Sequence, residues 1–328
     1  MKLRVWLYRK NIKETRRLPL PVISIGNLTL GGTGKTPMTI WVAKALLKQG
    51  RKPAVLSRGY RSKTKNSIDI VSDGSKLLMT PELSGDEPAM MARHLKGVPI
   101  IIGKDRYASG QLAIKDFKVD TLILDDGYQR LDVFRNLNIL LMDHSYKLES
   151  DSIFPAGTLR EPLEELRRAD LVCFTRVELG RPGPSIEDYI EPETQTIKCQ
   201  TEINELNDLE KTKTMIVEEI NGIKVCAFCG IAQPDKFKKL LESYGAQVVS
   251  FIDYPDHHTF KEVDIKKIEE SAKKFQADMI LTTEKDSVKL LNLTFSLPLY
   301  SVVIGLKWLD GESVLNEFLS NESNFLKT

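Results

Sequence analysis

The chain has 328 residues, 41% hydrophobic and 28% charged, a length that at roughly 150 residues per domain favours two domains and a composition far from that of disorder. Its 47 basic and 45 acidic residues leave a net charge of +2, too little to draw in nucleic acid, and no obligate protein partner is evident. Four cysteines make no disulfide framework and suit a reducing cytosol, no apolar run approaches the roughly 18 residues that span a bilayer, and the N-terminus lacks a signal peptide's apolar core.

Residues 1–17 hold Lys2, Arg4, Arg9, Lys10, Lys13, Arg16 and Arg17 against Glu14, so positive charge gathers at this end. On a helical wheel every basic side chain but Arg4 falls within an arc of about 120°, with Leu3, Val5, Leu7, Tyr8 and Ile12 outside it and Trp6 on the basic side. A basic amphipathic helix resting on an anionic membrane surface is expected.

From Val22 onward short apolar runs alternate with helical patterns: a strand at Val22–Gly26, a helix over about 37–48, then runs from Pro53, Val98, Thr121, Leu137 and Ala169. They are too uniformly apolar for half-exposed strands, so the expected fold is α/β, a P-loop NTPase-like, mostly parallel sheet with helices on both faces. Over 179–222 a Gly/Pro cluster and Glu- and Thr-rich sequence suggest a linker or ribbon. The rhythm restarts at Val225, with helices near 234–244 and 262–275, as a smaller α/β domain. The expected division is 1–17, 18–178, 179–222 and 223–328.

Directly after the first strand comes Gly31-Gly32-Thr33-Gly34-Lys35-Thr36. In a strand, glycine loop, helix context the backbone N–H groups can close on phosphate oxygens, Lys35 can reach the β and γ phosphates, and the Thr36 hydroxyl can ligate Mg²⁺. The full P-loop pattern starts with glycine, whereas Thr29 stands there, followed by Leu30; the expected cradle is Thr29 through Thr36. Asp125 and Asp126, ending a later apolar run, are candidates for the metal's shell. Ser57-Arg58-Gly59-Tyr60, Gly85-Asp86-Glu87-Pro88 and Lys104-Asp105-Arg106-Tyr107 fall at element ends or loops, where α/β folds gather their sites.

These motifs, with Leu18-Pro-Leu-Pro-Val-Ile-Ser-Ile-Gly-Asn27-Leu28, Leu124-Asp-Asp-Gly-Tyr-Gln129, Pro155-Ala-Gly-Thr-Leu-Arg-Glu-Pro162 and Pro255-Asp-His257, resemble the tetraacyldisaccharide 4'-kinase family over about residues 18–290. The resemblance implies transfer of the γ-phosphate of ATP, with Mg²⁺, to the 4'-hydroxyl of an acylated glucosamine disaccharide 1-phosphate. The product would be lipid IVA, formed at the cytoplasmic face of the bacterial inner membrane by a peripheral enzyme. It implies Asp86 as the base and His257 as its hydrogen-bonding partner, brought together by closure of the two domains. Asp125 and Asp126 would serve the metal with Glu87 as a further ligand, Arg106 would face phosphate charge, and Arg58, Gln129, Arg160 and Glu161 would serve the substrate. The chain departs from the family at Arg130, where a histidine is common, and in its shorter N-terminal extension.

Two other P-loop functions fit less well. Guanine selection needs Asn/Thr-Lys-x-Asp, and Thr175-Arg-Val-Glu178 misses both the Lys and the Asp. An ATP-dimerised partitioning switch carries a signature lysine where this chain has Leu30, and it leaves Asp86, Arg106 and His257 without a role. Cys226-Ala-Phe-Cys229 has no second pair for a zinc site and reads as strand core, and the sequence assigns His94 and His144 to no motif.

Overall fold

The computed structural model of the chain describes residues 2–178, 180–209, 212–290 and 293–321. It forms two compact units, one of Met1–Thr201 with the chain from Leu306 onward and one of Glu202–Gly305.

The first unit contains α1 (Lys2–Arg9), β1 (Val22–Asn27), α2 (Lys35–Lys48), β2 (Pro53–Ser57), β3 (Ile68–Ser72), α3 (Pro81–Ser84), α4 (Asp86–His94), β4 (Ile100–Gly103), α5 (Arg106–Phe117), β5 (Thr121–Asp125), β6 (Leu137–Asp143), β7 (Leu171–Thr175) and the start of β8 (Gln195–Asp208). Its strands lie in the order β8-β7-β6-β1-β5-β2-β4-β3, parallel except that β3 runs antiparallel to β4. All six residues of β1 are buried, as the apolar run requires when both sheet faces are covered. On one face Met38, Val42 and Leu46 of α2 and Met91 of α4 pack on Ile23, Ile25, Val55 and Ile139, joined by Leu315 and Leu319 of the helix Glu312–Ser320. On the other, Ala113 of α5 meets Leu18, Leu56, Leu122 and Leu124. Each such Leu or Ile contributes about 1.5–3 kcal/mol by leaving water, and together they fix the strand ends from which the loops spring.

The second unit contains the rest of β8, β9 (Thr214–Met215), β10 (Lys224–Cys229), α6 (Pro234–Ser243), β11 (Gln247–Asp253), α7 (Glu262–Lys274), β12 (Met279–Thr283), α8 (Glu284–Ser287) and the start of β13 (Leu299–Asp310). Its parallel strands run β11-β10-β12-β13. Phe237 and Leu241 of α6 cover one face, and Ile265, Ile268 and Ala272 of α7 the other. Cys226 and Cys229 are fully buried strand core, and burial pushes the Cys229 thiol up to about 12.

The segmentation expected from sequence differs in three places. Residues 179–222 hold β8, a strand of 14 residues paired antiparallel with β9, because Ile197, Cys199, Ile203 and Leu206 bury themselves among the polar residues that suggested a linker or ribbon. The chain beyond Leu306 returns to the first unit instead of ending the second; Leu179 and residues 322–328 of the expected divisions lie outside the described residues. The N-terminal helix stops at Arg9, since Asn11 turns left-handed at φ 54°. Several basic groups of the N-terminal segment are engaged inside the unit: Arg9 with Glu165 at 2.8 Å, Arg16 with Asp105 at 2.8 Å, and Arg17 over the Phe134 ring at 3.6 Å. Leu3, Trp6 and Ile12 stay exposed.

Candidate active site

The chain leaves β1 at Asn27 and is at once pinned by a second segment. The Leu30 N–H donates to Thr158 O at 2.7 Å, the Arg160 N–H donates to Leu28 O at 2.6 Å, and Thr29 bridges Leu159. Gly31 and Gly34 then take φ values of 108° and 88°, the left-handed region that favours glycine. Gly34 is the residue ahead of α2 and no side chain caps the helix, so its first N–H groups and the positive end of its dipole suit an anion. Lys35 Nζ lies 3.4 Å from Asn27 Oδ1 and 3.6 Å from Asp126 Oδ1. Thr33 and Thr36 are buried, and the Thr33 hydroxyl has no hydrogen-bond partner among the described residues. Gly32 is approached by Arg176: a Cβ there would sit 3.8 Å from Arg176 Nη2, whose guanidinium is held by Asp143 at 2.8 Å.

The two carboxylates that end β5 differ. Asp125 is 2% exposed and accepts from Ser57 Oγ at 2.9 Å and Thr39 Oγ1 at 3.3 Å. Burial, then the negative charge of Glu87 and Asp126, pushes its carboxyl up to about 6. Asp126, left-handed at φ 51°, accepts at both oxygens from Arg160 Nη1 at 2.9 Å. Burial opposes its charge, but Lys35 and Arg160 outweigh that and hold its carboxyl below the ordinary value. Glu87 and Asp126 both add to the cost of charge on Asp125, which an added cation would relieve.

Asp86 opens α4 behind Gly85, at φ 92° and ψ 154°, and both Asp86 and Glu87 are half-buried. Arg106 opens α5, is 1% exposed, and donates from Nη1 to Gly103 O. Burial, with Arg130 and Arg58 adding to it and Asp125 and Asp126 opposing, brings its guanidinium down to about 10, so it stays cationic at neutral pH. Arg58 is exposed at the end of β2.

Gln129, Arg160 and Glu161, expected to face the substrate, are engaged within the unit. Gln129 Nε2 donates to Asn27 O at 2.8 Å and lies 3.4 Å from Glu161 Oε2. Glu161 is 1% exposed and paired with Arg168, and Arg160 is committed to Asp126. A carboxylate buried this deeply needs its cation beside it, so Glu161 holds the loop's base instead of presenting itself to a ligand. Arg130, at the departure from the family, donates from Nη2 to Lys104 O at 2.9 Å and to Asp132 Oδ2 at 2.7 Å.

In the second unit His257 follows β11 with φ 63°. Its N–H donates to Gly230 O at 3.0 Å, and its Nε2 lies 3.2 Å from Lys285 Nζ and 3.7 Å from Asp256 Oδ2. Lys285 in turn donates to Asp256 Oδ1 at 2.9 Å. His258 faces Asp264 at 3.0 Å and stacks on Tyr254 at 4.6 Å between ring centroids.

The first unit therefore gathers the loop, Asp125, Asp126, Glu87, Arg106 and Arg160 at the carboxyl ends of parallel strands. Sequence reasoning missed Thr39, Arg168, Arg176 with Asp143, and Lys285 with Asp256. Lys285 was findable, since Glu284-Lys-Asp follows the buried strand β12 directly; Arg168 and Asp143 find their partners only through folding.

The family model for tetraacyldisaccharide-1-P 4'-kinase matches residues 1–323. The tetraacyldisaccharide 4'-kinase of Syntrophus aciditrophicus is 42% identical over 305 residues, 86% of this chain and 79% of that protein. That of Desulfotalea psychrophila is 41% identical over 316 residues, 92% of this chain and 87% of the relative. Among solved structures, the Aquifex aeolicus LpxK described as an "apo" form in complex with ATP superposes with a TM-score of 0.78 at 32% identity, covering 99% of this chain and 94% of that one.

Proposed function

The chain belongs to the tetraacyldisaccharide-1-P 4'-kinase family, and from that membership we propose that it transfers the γ-phosphoryl group of ATP to the 4'-hydroxyl of a tetraacylated glucosamine disaccharide 1-phosphate, giving lipid IVA. The observation that carries this reading is Lys35, set just past the left-handed Gly34 and 3.6 Å from Asp126. Cation, glycine loop, helix start and paired carboxylates are the parts from which phosphoryl transfer is assembled.

The donor set fits Mg²⁺. The ion is usually held by one or two carboxylates, waters and the substrate's phosphates, not by an all-protein cage. Among the described residues no group of three or more His, Cys, Asp or Glu is arranged to hold a metal alone, yet Glu87 and Asp126 bring negative charge to Asp125, and Asp126 lies 3.6 Å from Lys35 of the loop. Asp125 or Asp126, with Thr36 and Glu87, would hold it. When bound, the ion neutralises phosphate charge and orients the β and γ phosphates.

The protein's own groups do the rest. Thr29 through Thr36 seat the phosphates, and Lys35 and Arg106 stabilise charge on the migrating group. Asp86 accepts the proton of the sugar hydroxyl as its oxygen bonds to the γ-phosphorus and the bond to the ADP oxygen breaks. His257, whose Nε2 lies 3.2 Å from Lys285 Nζ, is the second candidate for the proton-transfer step. Arg160 steadies Asp126, and Arg58 meets the anionic substrate.

No described helix is long and apolar enough to cross a membrane. The exposed Leu3, Trp6 and Ile12 beside Lys10 and Lys13 suit peripheral contact with an anionic surface at the cytoplasmic face of the inner membrane, where a four-chain lipid substrate resides. Phosphorus NMR of the purified product tests the reaction: a new phosphomonoester coupled to the proton at the 4' position supports it. ATP hydrolysis or ATP-dependent dimerisation without a phosphorylated lipid points to a nucleotide switch instead.

A further inference from the structure

The Lys285–His257 contact carries a consequence for the ring's chemistry. Lys285 Nζ lies 3.2 Å from His257 Nε2 and 2.9 Å from Asp256 Oδ1. An ammonium has three donors and no lone pair, so at this distance Nε2 must be the acceptor and cannot carry the proton of a neutral ring. The neutral imidazole's single proton then sits on Nδ1. Asp256 fixes the ammonium in place, and the Lys285 side chain, 17% exposed, and the His257 side chain, 10% exposed, are both largely withdrawn from water. The backbone holds the arrangement from two sides. The His257 N–H is tied to Gly230 O at 3.0 Å, while Lys285 lies in α8, whose N-cap Thr283 accepts from the Asp286 N–H at 3.1 Å.

We propose that Lys285 is a positioning residue that fixes His257 as its Nδ1–H tautomer, so that the ring offers Nδ1–H as a donor while Nε2 is occupied by the ammonium. This rests on the reading of His257 as a catalytic residue of the proposed kinase. Lys285 therefore acts on the transfer step through His257.

The test uses the full chain labelled with ¹⁵N-histidine, at a pH where the ring is neutral, with the His257 signals assigned by their loss in His257→Gln. The inference expects Nδ1 to resonate as a protonated nitrogen and Nε2 as a bare one, and the Lys285→Met variant to shift population toward Nε2–H. The Lys285→Arg variant keeps a donor and should keep the wild-type pattern. A wild-type ring already protonated at Nε2 overturns the proposal without any variant, as does an unchanged pattern in Lys285→Met.

Kinetics separate this inference from the reading beneath it. Lys285→Met should lower kcat about tenfold or more with the KM for ATP unchanged, part of the general-base contribution. It should lower kcat no further in the His257→Gln background. The tautomer pattern as expected, but full turnover in His257→Gln, would reject a catalytic role for His257 while leaving its tautomer assigned to Lys285. A kcat loss in Lys285→Met that persists in the His257→Gln background would overturn Lys285 acting through the ring.

Discussion

Replacing Gly85 by alanine tests whether backbone geometry places the base. Gly85 has φ 92° and ψ 154°, a region essentially reserved for glycine, where another residue costs about 1–3 kcal/mol. An added Cβ would lie 2.8 Å from Tyr60 O and 3.7 Å from Pro88 Cδ. The nearest atom is backbone carbonyl, which cannot swing aside as a side-chain tip could, so crowding adds about 1–3 kcal/mol more. The sum, about 2–6 kcal/mol, falls toward its lower end if the segment moves. At about 2–4 °C per kcal/mol for a unit of this size, the melting temperature should fall by at least about 4 °C. Any movement that relieves the clash displaces Asp86, the next residue, and a shift of about 1 Å at a reacting group can lower turnover ~100-fold. Differential scanning calorimetry with steady-state kinetics reads both effects. The neighbouring Asp86→Asn variant should keep its melting temperature within about 1–2 °C while losing turnover. A Gly85→Ala protein of wild-type stability and kcat would refute the reasoning.

Other predictions follow from the same geometry. Lys35→Ala should nearly abolish transfer, because it removes the cation next to the migrating group; near-normal turnover would sink the P-loop mechanism. Arg176→Ala should weaken ATP about tenfold by calorimetric titration with little change in kcat, since its guanidinium lies against Gly32 and is braced by Asp143; unchanged affinity would show that it serves the fold alone. Tyr128→Phe removes a buried hydroxyl that donates to Glu165 O at 2.6 Å. It should lower stability by about 1–2 kcal/mol in urea unfolding while leaving the KM for ATP unchanged; a raised KM would place Tyr128 nearer the nucleotide than its hydrogen bond does.

The parallel sheet and its glycine loop were legible because their signals are local. A buried strand such as Val22–Asn27 is apolar throughout, and Gly34 must be glycine because its φ is 88°. Asp125 and Asp126 were legible for the same reason, ending an apolar run. What the sequence hid depends on contacts distant along the chain. Glu161 looked like a ligand-facing acid until Arg168 and Gln129 closed around it. The strand β8 hid because its buried residues are spaced among Glu, Thr and Gln, which resemble a linker when its sheet partners are not in view. The N-terminal wheel assumed a helix through residue 17, whereas Arg9, Arg16 and Arg17 find partners in the fold and the helix ends early.

The central claim is that Asp86 is the base in phosphoryl transfer to a lipid sugar hydroxyl. It is tested most directly by incubating wild type and Asp86→Ala with γ-labelled ATP, Mg²⁺ and the tetraacyl-disaccharide 1-phosphate in detergent micelles, scoring labelled lipid, and measuring ATP affinity in parallel. The account predicts labelled lipid from wild type and a loss of turnover of about two to four powers of ten in the variant, with ATP affinity retained. No labelled lipid from wild type, or a variant impaired mainly in ATP affinity, would contradict it.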